Sequence, residues 1–304
     1  MKHSIFKKVT LFLILAFVIS MAAGCSSQKS GDAGSADQKA IKIGSKNFTE
    51  SLILGEIYAL ALEEKGFKVE RVFDIASSVV HTSLVNGDID LYPEYTGTGL
   101  LAVLKLPLET DPQKVYDIVK EEYAKKFNVV WLNYAQANDG QGLVITTEAS
   151  EKYGIKTISD LQKNATKLRF ASQGEFDVRE DGIPALEATY GKFDWASSKV
   201  YDNALKYEVL AEGEADVAPA STTEGNLIDP KFTLLEDDKA VWPPYNIAPV
   251  VRKEVLDANP DIAEILNAVN TKIDIKTITE LNAEVDVNKR EYEEVGKEFY
   301  DSIK

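Results

Sequence analysis

Two short stretches of this sequence set small hydrogen-bonding groups and aromatic rings at spacings suited to holding a ligand. One reads Gly44-Ser45-Lys46-Asn47-Phe48-Thr49-Glu50 and follows the apolar run Ile41-Lys42-Ile43. The other reads Asp88-Ile89-Asp90-Leu91-Tyr92-Pro93-Glu94-Tyr95-Thr96-Gly97-Thr98. In each, a strand ends in a polar turn. That brings Ser45, Tyr95 and Thr96 to one sheet edge, where open α/β sheets take ligands. Rings at such an edge suit a quaternary ammonium, which makes no ordinary hydrogen bonds and is held by ring faces at about 0.5–2 kcal/mol each. Tyr95, Tyr134 and Phe176 are the candidate rings. A carboxylate on the same ligand needs arginine or backbone donors. Arg179, in Glu175-Phe176-Asp177-Val178-Arg179-Glu180-Asp181-Gly182, either clamps such a carboxylate or pairs with Asp181. Asn138-Asp139-Gly140-Gln141-Gly142 is a polar loop suited to a ligand head, and Ser221 and Thr222 add hydroxyls from a later strand end.

Catalytic patterns are thin by comparison. The chain has two histidines and one cysteine, too few for a histidine-rich or thiolate metal centre. There is no G-x-S-x-G, Walker A or H-E-x-x-H pattern and no nucleophile–base pair, so neither an enzyme nor a bound cofactor or metal is expected. Gly97-Thr98-Gly99-Leu100-Leu101-Ala102 fits G-x-G-x-x-A, but Pro93 stands just before it and no strand–turn–helix opens the fold there. Glu236-Asp237-Asp238 reads as a solvated acidic face, and His81 as a helix contact. The formal charge is −15; residues 1–24 hold three lysines and no acid, so the remainder carries −18. Such a surface argues against nucleic acid as a partner.

Behind these motifs the elements alternate. Residues 41–43 predict a strand and residues 50–65 a helix, with Asn47 as N-cap and Glu50 in the capping-box position. A strand over 68–73, a helix over 77–86 and a strand over 89–92 follow, a βαβαβ order that implies a mostly parallel sheet. At an offset of 126, residues 84–96 align with residues 210–222 at five identical positions, including Asp90/Asp216, Pro93/Pro219 and Thr96/Thr222. Two lobes, each with a polar strand end, would then face one another across a cleft. Residues 40–145 are expected to start lobe 1, with a crossing strand at 144–146; residues 146–243 would form lobe 2. Residues 244–304 would return to lobe 1, with the prolines of Pro243-Pro244-Tyr245-Asn246-Ile247-Ala248-Pro249 stiffening the second crossing. The lobe 2 strand at 168–172 leads into a Gln173-Gly174 turn. Ahead of all this, Lys2, Lys7 and Lys8, an apolar run and Ala22-Ala23-Gly24-Cys25 read as a signal peptide over 1–24. Lipid on Cys25 would follow, with a Ser/Gly-rich tether over 25–39 holding an exported protein to the membrane.

Taken together, these motifs resemble the substrate-binding lipoproteins of osmoprotectant ABC importers, those for glycine betaine, choline and carnitine. The resemblance rests on the two opening stretches, on Glu175-Phe176 with Arg179 and Asp181-Gly182, on Pro244-Tyr245-Asn246 with Ala248-Pro249-Val250, and on Leu281-Asn282-Ala283-Glu284-Val285-Asp286. It implies a type II periplasmic-binding-protein fold, α/β and two-lobed, each lobe a mostly parallel sheet flanked by helices, with two crossover segments. It also implies closure on a solute and docking on a permease that works with an ATPase. The ligand contacts expected from the residues and the resemblance together are Ser45, Tyr95, Thr96, Tyr134, Asn138, Asp139, Phe176, Arg179, Ser221 and Thr222. The family's loop before the crossing strand often ends in a tyrosine where this chain has Gln141, and Ser221 stands where a ring is usual. A cage two rings short loses about 1–4 kcal/mol, ten- to a thousandfold in affinity. Either Tyr134 and Phe176 make up the loss, or the solute is more polar than a simple betaine, with the betaine of a larger amino acid as a compromise. A ligand sensor of the same fold, or an importer component for a non-betaine polar solute, is the alternative.

Overall fold

The computed structural model describes residues 40–202 and 205–304. The signal peptide, Cys25 and the tether lie outside the described residues. Two five-stranded sheets organise the chain. The first part gives β1 (Ile41–Lys46), α1 (Thr49–Glu64), β2 (Val69–Ile75), α2 (Ser77–Asn86), β3 (Leu91–Tyr95), α3 (Pro112–Phe127) and β4 (Val129–Trp131). The second sheet is built from β5 (Gln141–Thr146), then α4 (Thr147–Tyr153) and α5 (Ile158–Asn164), β6 (Arg169–Ser172), α6 (Ile183–Tyr190), β7 (Ser197–Val200), α7 (Lys206–Ala211), β8 (Val217–Ser221) and β9 (Phe232–Leu234). The chain returns through β10 (Ile247–Arg252) and ends in α8 (Lys253–Ala258), α9 (Asp261–Asn270), α10 (Ile275–Asp286) and α11 (Tyr292–Ile303).

The strand orders are β2-β1-β3-β10-β4 and β7-β6-β8-β5-β9. In both sheets the first three strands run parallel and the fourth runs against its neighbours. The thirteen-residue echo at an offset of 126 is therefore structural. Asp90 accepts from the Lys42 amide at 2.9 Å, and Asp216 accepts from the Arg169 amide at 2.8 Å, each at the mouth of the third strand. The strand Gln141–Thr146 lies wholly in the second sheet, because it pairs with β8 and β9. The first connection is thus residues 132–140, ending before the boundary expected at 145. The return runs over residues 235–246.

Alternation along the strands divides the apolar residues between two faces. In β3, Leu91 and Tyr95 join one cluster and Tyr92 joins another, with Trp131, Tyr123 and Val119. The cluster containing Leu91 runs on through Leu132, Ala135, Val241 and Trp242 of the connections to Leu143, Phe170 and Leu186 of the second half. Helix α1 is buried on both sides: Ile53, Leu54, Ile57, Tyr58 and Leu62 are all inaccessible. It rests on β1 and β2, and α9, α10 and α11 cover it. Its N-cap is Phe48 with no side-chain cap, so the Asn47 cap expected from sequence is not formed; Asn47 is exposed. His81 stands edge-on to Phe127 and Tyr123, at 4.6 and 5.1 Å between ring centres. No helix among the described residues is long and apolar enough to cross a membrane.

Candidate functional site

The carboxyl ends of β1, β3 and β8 meet where the two connections pass between the sheets. The connections are laced to each other. Asn138 Oδ1 accepts from the Tyr245 amide at 2.6 Å, and the Asp139 amide donates to Tyr245 O at 3.1 Å. Thr96 Oγ1 accepts from the Asn246 amide and donates to Pro244 O, both at 2.9 Å. Thr222 Oγ1 donates to Asn138 O at 2.7 Å and accepts from the Gly140 amide at 2.9 Å. Three predicted ligand contacts, Thr96, Asn138 and Thr222, thus spend these side-chain groups on the crossover itself. The Tyr245 ring lies on Gly97, so close that a Cβ there would sit 2.7 Å from the ring. That fills the space over the G-x-G-x-x-A segment, which is itself helical.

Next to the crossover is a cluster of buried charge. Lys46 Nζ is 2.5 Å from Glu94 Oε1 and 4.5 Å from the centre of the Tyr95 ring. Glu94 also accepts from the Tyr92 hydroxyl at 2.6 Å and the Tyr95 amide at 2.8 Å. Phe48 lies 5.8 Å from the Tyr95 ring centre. A ring face that the sequence offers to a ligand cation therefore carries the Lys46 ammonium here. The Tyr95 hydroxyl sits beside Glu50 without a well-formed hydrogen bond, and burial, then Glu50, holds it well above the usual phenol range.

Glu50 lies in the first turn of α1 and is 3 % exposed. Asn282 Nδ2 donates to its Oε2 at 3.1 Å, while its Oε1 has no partner. Burial, and second the nearby Asp139, push the Glu50 carboxyl up to about 8. Asp139 accepts from Thr223 Oγ1 at 2.8 Å; loss of hydration raises it to about 6, with Thr223 opposing and Glu224 adding. Ser221 stands close to Asp139 and gives its amide to Glu224 at 3.0 Å. Glu50 Oε1 and Tyr95 Oη thus face each other without a well-formed bond, and the buried Asn282 Oδ1 has no protein partner. Such atoms are rare in folded proteins and call for a ligand, ion or water.

The remaining predicted contacts lie elsewhere or are engaged. Arg179 pairs with Asp181 through two bonds, at 2.6 and 2.9 Å, and Asp181 reaches the Tyr245 hydroxyl at 3.4 Å. Phe176 is buried in the core. Ser45 Oγ accepts from the Asp74 amide at 3.1 Å, beside an irregularity in the β1–β2 pairing. Tyr134 packs on Tyr116, 5.0 Å between ring centres, and bonds Gln113 at 3.3 Å, on the α3 side of the first sheet. Asp237 caps the Val241 amide and takes the Tyr190 hydroxyl, so the acidic triplet has local work. Among the described residues no group of three His, Cys, Asp or Glu side chains is placed to hold a metal. Sequence reasoning missed Lys46, Glu50, Glu94, Thr223 and Asn282 as site residues. An acid in a helix's first turn normally faces water, and nothing local marks Glu50 as buried; that depends on α10, more than two hundred residues away.

Comparison with known proteins shows the chain's family and fold. Residues 39–302 match the family described as the substrate binding domain of ABC-type glycine betaine transport system. The chain is 33% identical to the ergothioneine transport permease/ergothioneine binding protein EgtU of Helicobacter pylori, over 88% of its length and 48% of that protein, so it spans about half of that relative. It is 32% identical to a glycine-betaine-binding protein of Pseudomonas aeruginosa, covering 88% of this chain and 89% of the other. Its fold superposes with a TM-score of 0.77, at 28% identity, on the crystal structure of a glycine betaine/carnitine/choline ABC transporter, covering 86% of this chain and 98% of that one.

Proposed function

Since the chain belongs to the family of substrate-binding domains of ABC-type glycine betaine transport systems, we propose that it captures a small betaine-type solute outside the cytoplasm. It then delivers that solute to a membrane permease worked by an ATPase. The family is one of transport substrate-binding proteins. The observation that supports the site is the buried seam of Glu50, Tyr95 and Asp139 between the two sheets, with acceptor atoms that have no protein partner. Glu50, once a cation draws off its proton, suits the positive end of a zwitterion, and Tyr95 Oη can serve a polar group next to it. Ser221 lies at the same seam, while Arg179 is held by Asp181. Thr96, Asn138 and Thr222 act one step back, by fixing the crossover on which the lobes turn. Closure follows because the solute touches both lobes at once only when they are together. Cys25 carries lipid in this reading; metabolic labelling with palmitate that survives Cys25→Ser would overturn the anchor.

The test is isothermal titration of the full chain, purified in detergent and freed of carried-over solute. The panel is glycine betaine, proline betaine, carnitine, choline and ergothioneine. Micromolar or tighter binding of one of them is expected. Silence across the panel would remove the betaine class and leave a solute-binding fold with a different ligand.

A further inference from the structure

We propose that Asn282 and Gly225 form the clamp that holds the two lobes shut, so that a residue of the C-terminal helices governs how long the solute stays. The inference rests on the capture reading above. Asn282 is 3 % exposed on α10, which packs against α1 and α11 of the first lobe. Its Nδ2 has two acceptors on opposite sides of the seam. One is Glu50 Oε2 at 3.1 Å, in the first lobe; the other is Thr223 O at 2.8 Å, just beyond β8 of the second. Thr223 in turn donates to Asp139. One amide thereby ties the solute seam to the seating of the second lobe.

The neighbouring backbone is built for the same contact. Gly225 opens the short turn Gly225–Ile228 and lies directly on α10. A Cβ on Gly225 would stand 2.4 Å from Ala283 N and 2.5 Å from Ala283 Cα. Gly225 does not have a positive φ, so its backbone would accept alanine; only the close approach of α10 forbids one. Beside this contact, like charges confront each other. Glu224, in the second lobe, takes the Tyr207 hydroxyl and the Lys206 ammonium. Asp286, on α10, takes the Thr49 hydroxyl at 2.6 Å and is raised by burial and by Glu224, with Lys289 and Lys206 opposing. This patch of the seam consists of one amide, two touching backbones and opposed carboxylates, the polar kind of inter-domain contact that gives relative motion by default.

Asn282 is therefore a positioning residue, orienting Glu50 and reporting closure to it. Stopped-flow binding and solution scattering on the full chain test this with Gly225→Ala and Asn282→Ala. Both variants are expected to raise the dissociation rate at least about tenfold while the association rate stays within about twofold. Gly225→Ala should also give a larger radius of gyration than wild type, with and without solute, and leave the ligand-free melting temperature unchanged. If Gly225→Ala lowers that melting temperature by many degrees and leaves the dissociation rate alone, the contact is a fixed part of the fold and the clamp is wrong. If wild type binds none of the panel, the capture reading fails by itself. Scattering then still decides, because equal radii for wild type and Gly225→Ala overturn the clamp.

Discussion

At the scale of single residues, the site is a set of charges kept out of water, and each should answer to pH or to loss of its partner. Glu50 and Asp139 are raised from 4.5 and 3.8 to about 8 and about 6. The closed protein thus keeps protons that the unfolded chain has already released. Their contribution to stability is complete below about pH 4 and is lost as pH rises through 6 and then 8. The melting temperature of Glu50→Gln minus that of wild type should therefore grow from pH 5 to pH 8; a flat difference would mean that Glu50 is not protonated. A cationic ligand group against Glu50 favours its ionised form, so binding at pH 7 should release up to about one proton, measured by titration in buffers of different ionisation heat. Lys46 and Glu94 make a different case. Both are nearly inaccessible, so Lys46→Met strands a buried carboxylate and should cost about 3–5 kcal/mol in denaturant unfolding. Lys46→Met with Glu94→Gln should recover most of it. Tyr95, Asp139 and Ser221, at the seam proposed as the site, stood out in the sequence because strand ends and polar loops announce themselves. Glu50 and Asn282 were not, because their meaning arises only when α10 closes over α1. Arg179 went to the plainer of its two options, the neighbouring Asp181.

At the scale of elements, the helix α1 shows where periodicity informs and where it stops. Its apolar residues mark a helix, and Ser77–Asn86 forms as its sequence predicts. Yet α1 is apolar around most of its circumference, and only the returning helices α9–α11 explain why. Leu54→Ala should cost about 2–5 kcal/mol, since no water can fill the gap. Val178→Ala, at 77 % exposure, should stay within about 0.5 kcal/mol in the same unfolding assay. The missing Asn47 cap has a physical reason. The amide of Lys46 is taken by the Ser51 hydroxyl at 2.8 Å, and the helix starts from an extended Phe48 whose ring is drawn to Tyr95. Capping rules read one turn of chain, whereas this start is fixed by a ring contact across to the next strand.

At the scale of the whole molecule, the two lobes repeat one strand order, and the sequence showed this as a thirteen-residue echo with five matches. What the echo does not carry is the fourth strand of each sheet, because an antiparallel partner can come from anywhere in the chain. In the second lobe it comes first, as β5; in the first it comes last, as β10. That asymmetry sets an order of assembly. The second lobe is one continuous stretch and can complete its sheet from its own residues. The first lobe cannot: β10 lies between β3 and β4, so until about 250 residues have emerged, β4 has no neighbour and β3 offers a bare edge. Pairings that distant in sequence are slow to find, and open edges invite wrong partners. A chain that emerges from its N-terminus would thus finish first the lobe it begins second, and would need its earlier half kept from misassembly in the meantime.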